Sequence, residues 1–277
     1  MRCFRGAYQV TRRTFSTGGS VYGKKMDQVG HIFIDNQSKK NAMTLDMYRQ
    51  VPTAISEALY GIMHEDGEDQ DAARVLVLQG DGTEAFGAGS DILEFPKVRQ
   101  NAEAAAKYSA IEDAAAESLL QVDQPLIAKI RGPCFGGGLN LALTADVRYA
   151  SEDAIFCVPP AKLGIGYPQQ LMDLLLLAVG RSRAKDLIFT ARTVNAEEAL
   201  QIGLVDAVVP NKALDEYVDG VVESISNLAP LTIQAAKLAA NKHPDASQKC
   251  SACYESEDYK EGVQSFLDKR RPIFRGV

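Results

Sequence analysis

The chain has 277 residues, 46% of them hydrophobic and 24% charged, enough to bury a substantial core in one large or two small domains. Its formal net charge of −6 argues against a nucleic-acid surface. No apolar run is long enough to cross a bilayer: Leu174 to Val179 is bounded by Asp173 and Arg181 and reads as a core helix.

Residues 1–26 carry Arg2, Arg5, Arg12, Arg13, Lys24 and Lys25, with Ser and Thr between them and no acid before Asp27. That pattern reads as a mitochondrial transit peptide and predicts a matrix location. Arg13-Thr-Phe-Ser16 places the expected cleavage after Phe15. Residues 1–25 are therefore set apart from the fold. A strand is predicted over 30–35, a turn over 39–43, and a helix from the N-cap Thr44 to about Leu59 with an apolar stripe of Met47 or Tyr48, Val51 and Ile55. The acidic stretch 62–72 reads as a solvated loop. A strand at 75–79 leads into the turn Ala85-Phe-Gly-Ala-Gly-Ser-Asp-Ile92, and an Ala-rich helix follows over 101–120.

A second strand, 125–130, leads into Phe135-Gly-Gly-Gly-Leu-Asn-Leu-Ala142 and a helix to about Thr144. Short strands at 147–150 and 154–157, helices at 168–179, 182–189 and 196–201, and a strand at 204–209 complete a core over 26–210. From 211 to 277 the pattern is helical, broken near Pro230 and Pro244, and is read as a separate subdomain or an oligomerisation element. Strands alternating with helices predict an α/β fold. Five cysteines show no disulfide framework, and Cys250-Ser-Ala-Cys253 lacks the second ligand pair that zinc requires, so no metal site is expected.

Two strands that each end in a small-residue turn before a helix can aim two free backbone N–H groups at one point. Such a pair stabilises negative charge developing on an oxygen, which points to carbonyl chemistry. Rival fingerprints are missing: there is no G-x-x-x-x-G-K-[ST], no G-x-G-x-x-G and no G-x-S-x-G.

Asn41-Ala42, Phe86-Gly-Ala-Gly-Ser-Asp-Ile92, Gly132-x-x-x-Gly-Gly-Gly138, Ala145-Asp-Val-Arg-Tyr-Ala150, Leu163-Gly-Ile-Gly166, Ala199-Leu-x-x-Gly-Leu-Val-Asp206 and Phe266-Leu-Asp-Lys-Arg-Arg-Pro-x-Phe274 recur in one order. Through them the chain resembles the crotonase superfamily, the enoyl-CoA hydratase/isomerase group, over about residues 27–277. The resemblance implies a crotonase-like spiral of ββα repeats with C-terminal helices, assembled as a homotrimer or a dimer of trimers. It implies an acyl-CoA substrate, coenzyme A being part of the thioester rather than a separate cofactor. Its oxyanion hole maps onto the N–H groups of Ser90 and Gly137. Lys40, Ala42, Asp91, Ile92 and Lys269 are the candidate CoA-binding residues, with Arg270 and Arg271 beside Lys269; Asp91 is read chiefly as a helix cap or a lock on its loop.

Hydratases of this family use two glutamates, and here the matching positions hold Asn140 and Pro160; the single base of the simple double-bond isomerases commonly matches position 160 as well. Neither residue exchanges a proton at neutral pH. The expected reaction is therefore the decarboxylation of a short malonyl-type thioester, in which the breaking C–C bond supplies the electrons and no base is needed. Leu163-Gly-Ile-Gly-Tyr-Pro168 resembles methylmalonyl-CoA decarboxylase-like members. Tyr167 is a candidate for holding the substrate carboxylate or protonating the enolate, or for lining the pocket. Asn140 is a candidate for bonding a substrate oxygen, or for filling vacated space. Alternatives are a hydratase or isomerase with a displaced base such as Glu94, and an acyl-CoA-binding protein without activity.

Overall fold

The structure is a computed structural model that describes residues 18–61 and 71–277. The expected cleavage point after Phe15 and most of the acidic stretch at 62–72 lie outside those residues.

Two strands, β1 (Ser20–Met26) and β2 (Val29–Asp35), pair antiparallel from Ser20↔Asp35 to Met26↔Val29. This corrects the boundary expected at residue 25. Lys24 and Lys25 belong to an edge strand, where charged side chains are solvated and discourage further pairing. Helix α1 (Leu45–Tyr60) follows, its first turn closed by Thr44 Oγ1 accepting from Met47 N at 3.2 Å. Strand β3 (Val75–Gly80) leads through a 3₁₀ turn (Ile92–Glu94) to α2 (Phe95–Val98) and α3 (Ala102–Leu120), the latter capped by Asn101. Next come β4 (Leu126–Ile130), β5 (Pro133–Phe135) and α4 (Gly137–Ala142), then β6 (Val147–Ser151), β7 (Ile155–Cys157), α5 (Pro160–Leu163) and α6 (Gln169–Val179). Helix α7 (Arg181–Thr190), β8 (Val194–Asn195), α8 (Ala196–Gln201) and β9 (Ala207–Val209) close the strand-bearing part. Four helices end the chain: α9 (Leu214–Ser226), α10 (Pro230–Ala240), α11 (Ala246–Cys253) and α12 (Glu257–Leu267).

The strands form a sheet ordered β1-β2-β3-β4-β6-β9, parallel beyond the first pair, and a smaller sheet β5-β7-β8. Single bridges extend the smaller sheet: Met43 pairs with Ser90 and Gly87 with Cys134. Each turn of chain thus adds one strand to the large sheet, one strand or bridge to the small one, and then a helix. That is a spiral of ββα units, and it stacks the loops at 43, 87–90 and 134–138 side by side.

Strands β3 and β4 read as continuous apolar runs because both faces are covered. Leu76, Leu78, Leu126 and Ala128 join the main core with Ile32, Met47, Phe86 and Leu119. Val75, Val77 and Ile127 face the other way, onto Leu214, Val218 and Val222 of α9. Helix α9 is therefore a layer of the core rather than part of a separate helical subdomain. Beyond it, Lys237 of α10 reaches back to Asp146 at 2.8 Å and to Gln124 O.

The turn after β2 rests on Asn41, buried and at φ +58°. Its Nδ2 donates to Asp81 O and Ala85 O at 3.0 and 2.8 Å, and its Oδ1 accepts from Asn36 N at 2.9 Å. Asn tolerates this left-handed conformation better than alanine does, and alanine offers none of the three bonds. Asn41→Ala is expected to lower stability by about 2–4 kcal/mol, read from urea unfolding. A loss under about 1 kcal/mol would show that the turn holds itself.

Candidate active site

Ladder bonds on either side of Ser90 fix its orientation. Met43 N donates to Gly89 O at 2.8 Å, and Asp91 N donates to Met43 O at 2.7 Å. In such a bridge the intervening N–H points away from the paired strand, and among the described residues Ser90 N–H has no partner. Opposite it, Gly136 N donates to Cys157 O at 2.9 Å, which pins the start of α4. Gly137 is the first residue of that helix, so its N–H has no carbonyl one turn back, and it too lacks a partner among the described residues.

The two loops touch because they carry no side chains where they meet. A Cβ on Gly138 would lie 2.6 Å from Gly87 O, and one on Gly137 would lie 2.0 Å from Tyr48 Oη and 2.9 Å from Ser90 Oγ. Gly136 adopts φ +44° and ψ −117°, a conformation that side chains oppose. Ser90 and Gly137, whose N–H groups are both unpartnered among the described residues, line one cavity of about 100 Å³ together with Asn140 and Tyr167 among others. Ile92, Phe95, Val158, Pro160, Leu163 and Leu171 make most of its wall apolar. The volume is small beside the 300–1,000 Å³ of drug-sized ligand pockets.

Asn140 and Tyr167 form one unit. Tyr167 Oη donates to Asn140 Oδ1 at 2.7 Å. Burial, and then the nearby charge of Glu112, raises the Tyr167 phenol well above its usual range, so it stays an O–H donor. Pro160 opens α5 at its first turn, where a missing N–H costs nothing.

Sequence reasoning missed a carboxylate in this cavity. Glu112 of α3 lines it and is 9% exposed. Its Oε1 accepts from Ser90 Oγ at 3.1 Å, and its Oε2 from Arg99 Nη2 at 2.5 Å. Tyr48 Oη lies 3.0 Å from Ser90 Oγ on the other side. Burial raises the Glu112 carboxyl above its ordinary value, and the Arg99 charge opposes the rise. The available signal was positional: Glu112 falls on the buried stripe Tyr108, Ala115, Ala116 and Leu119, where a charge demands a reason.

Ser90, Gly137, Asn140, Tyr167 and Ile92 meet at the cavity; Lys40, Ala42, Asp91 and Lys269 do not line it. Lys40 and Ala42 lie in the adjoining turn, where Ala88 N donates to Lys40 O at 2.9 Å. The Asp91 carboxylate accepts from Leu93 N at 3.1 Å and pairs with Lys39 at 2.6 Å, so it caps and locks its loop. Glu94 is half-buried and does not line the cavity: its Oε2 accepts from Leu45 N at 2.8 Å, tying the loop to the start of α1. Lys269 follows α12 at φ +56°, exposed, and its neighbour Arg270 is held by Glu261 at 2.6 Å. His31 lies outside the cavity, hydrogen-bonded to Gln79; burial, then Lys129 and Lys24, lowers its imidazole to about 4, leaving it neutral.

Known proteins are similar to this chain. The enoyl-CoA isomerase/hydratase fer4 of Mycosarcoma maydis is 31% identical, covering 90% of this chain and 93% of its own. The crotonyl-CoA hydratase of Syntrophomonas wolfei is 30% identical over 91% of this chain and 96% of its own. An enoyl-CoA hydratase/carnithine racemase from Magnetospirillum magneticum superposes with a TM-score of 0.84 at 29% identity, over 93% of this chain and 96% of that one. Residues 24–277 match the enoyl-CoA hydratase/isomerase family as a whole. With that span, the spiral and the two glycine loops in agreement, the chain belongs to the enoyl-CoA hydratase/isomerase family, the crotonase superfamily of acyl-CoA enzymes.

Proposed function

We propose that the chain binds a short acyl-CoA, holds its thioester oxygen between the N–H groups of Ser90 and Gly137, and shifts a proton along the acyl chain through the resulting enolate. The observation that carries this reading is the pair of unpartnered N–H groups on two loops in direct glycine contact. One such donor is typically worth about 10²–10³ in rate. Ordinary hydration fits less well, because Asn140 and Pro160 stand where water-activating carboxylates would be needed.

Decarboxylation of a malonyl-type thioester is the second reading. It is favoured by the Tyr167–Asn140 unit, whose O–H can protonate an enolate carbon, and by the bare positions 140 and 160. Against it stands charge. A malonyl carboxylate entering this apolar cavity needs a cation. Arg99 is the cation among the described lining residues, and Glu112 already neutralises it at 2.5 Å. An uncharged acyl chain needs no such partner, which favours the proton shift.

A thioester panel followed by mass spectrometry and ultraviolet absorbance separates the outcomes. A β,γ-unsaturated acyl-CoA is expected to become the conjugated isomer at unchanged mass. Loss of the mass of CO2 from methylmalonyl-CoA would replace this reading by decarboxylation, and gain of water by crotonyl-CoA would replace it by hydration. Binding without turnover of any thioester would remove the enzyme reading altogether. Gly137→Pro deletes one donor N–H and is expected to lower turnover by at least about 10²-fold. Gly137→Ala keeps the N–H but meets the Tyr48 hydroxyl, so it is expected to lower the unfolding midpoint. Adding Tyr48→Phe, which leaves Tyr48 Cζ 3.3 Å from the new Cβ, is expected to restore part of it. No rescue by Tyr48→Phe would refute the clash as the cause.

A further inference from the structure

Glu112 sits where a carboxylate needs both a reason and a counter-charge. The groups facing it come from every element around it: Arg99 just past α2, Ser90 on the first glycine loop, Tyr48 on α1, Tyr167 before α6, and Tyr108 and Asp113 on its own helix. Arg99 is the fixed member. Its guanidinium lies 3.7 Å from the Tyr108 ring centroid and 4.7 Å from that of Phe95, so stacking holds it in place while Nη2 binds Glu112. The nearby Tyr108 Oη and Arg99 Nε are buried and meet no hydrogen-bond geometry among the described residues. Glu112 forms part of the cavity wall.

We propose that Glu112 is the displaced proton carrier of this site, taking a proton from the acyl chain and returning it to another carbon. The assignment rests on the enolate reading above. With a β,γ-unsaturated thioester, a Glu112 carboxylate oxygen takes a proton from the α-carbon. The C–H electrons form the bond between the α-carbon and the carbonyl carbon, and the carbonyl π pair moves onto the oxygen held by Ser90 N–H and Gly137 N–H. The Glu112 acid then protonates the γ-carbon. The double bond moves to the α,β position, the carbonyl re-forms and the carboxylate is regenerated. No oxidant, reductant or second substrate enters. Burial raises the proton affinity of Glu112, and the Arg99 charge opposes the rise and favours the anion. Tyr167 remains a neutral donor and need not titrate.

The test uses the full chain and butyryl-CoA, which can form an enolate but cannot complete a double-bond shift. Deuterium incorporation from D2O is measured by mass spectrometry, and the Kd for butyryl-CoA by calorimetry. Wild type is expected to exchange an α-proton. Glu112→Gln keeps an acceptor for Ser90 and is expected to lose about 10²–10⁴-fold in exchange, with Kd changed only a few-fold. In wild type the exchange rate is expected to fall as pH drops through the raised Glu112 pKa, because the protonated acid takes no proton. Arg99→Gln removes the opposing cation and is expected to move that acid limb to higher pH, giving a readout that survives if Glu112→Gln folds poorly. Exchange at the wild-type rate in Glu112→Gln, or an acid limb unmoved in Arg99→Gln, overturns this assignment alone. No exchange by wild type, together with no turnover of the thioester panel, overturns the enolate reading and this assignment with it.

Discussion

The functional geometry depends on one constraint: two backbone loops must approach until their main chains touch. The Gly87–Ser90 loop and the Gly136–Gly138 loop do so because a Cβ at Gly138 would meet Gly87 O at 2.6 Å, while one at Gly137 would meet the Tyr48 hydroxyl of α1 at 2.0 Å. The spiral brings the loops together, since single bridges at Met43–Ser90 and Gly87–Cys134 align successive turns. The same ladder that aligns them uses up the polar groups flanking Ser90 and leaves its own N–H pointing elsewhere. Position and unpartnered donor thus share one cause. Water-excluding apolar walls then strengthen whatever charge those donors meet.

Charge in the cavity is arranged around that donor pair. Glu112 and Arg99 bring opposite charges within 2.5 Å, and Ser90 Oγ and Tyr48 Oη link the carboxylate to the loop bearing the donor N–H. Burying an ion pair gives little net stability on its own, because desolvation offsets much of the attraction. A pair of this kind at the wall of a cavity is better explained by what the carboxylate can do there. Asn140 and Tyr167 close the opposite side with a neutral hydrogen bond at 2.7 Å. The site therefore carries one titratable anion, one locked cation and a phenol that stays protonated.

Much of the fold was legible in the chain. The unbroken runs at 75–79 and 125–130 marked strands covered on both faces, and the helices at 101–120 and 196–201 lie within a residue of where periodicity puts them. Strand β1 was hidden because Lys24 and Lys25 continue the run of basic residues that begins at Arg2, although Val21 is buried and the strand pairs fully with β2. Strands β5 and β8 have three and two residues, too few to show an alternation. Helix α9 looked like part of a helical tail, since nothing local says that Leu214, Val218 and Val222 face Val75 and Val77. Within the site, the glycine loops announced themselves through their spacing. Glu112 did not: its partners Arg99 and Ser90 lie 13 and 22 residues away, and the alanines around it blur the stripe it interrupts. Glu94 misled for a similar reason, its ligand being the N–H of Leu45, 49 residues earlier.

The account stands or falls on where a thioester oxygen rests. A crystal structure of the chain with bound butyryl-CoA measures this directly. The carbonyl oxygen is expected about 2.7–3.1 Å from both Ser90 N and Gly137 N, with the acyl chain against Glu112. An oxygen that reaches only one of those nitrogens, or an acyl group seated outside the cavity they border, would contradict it.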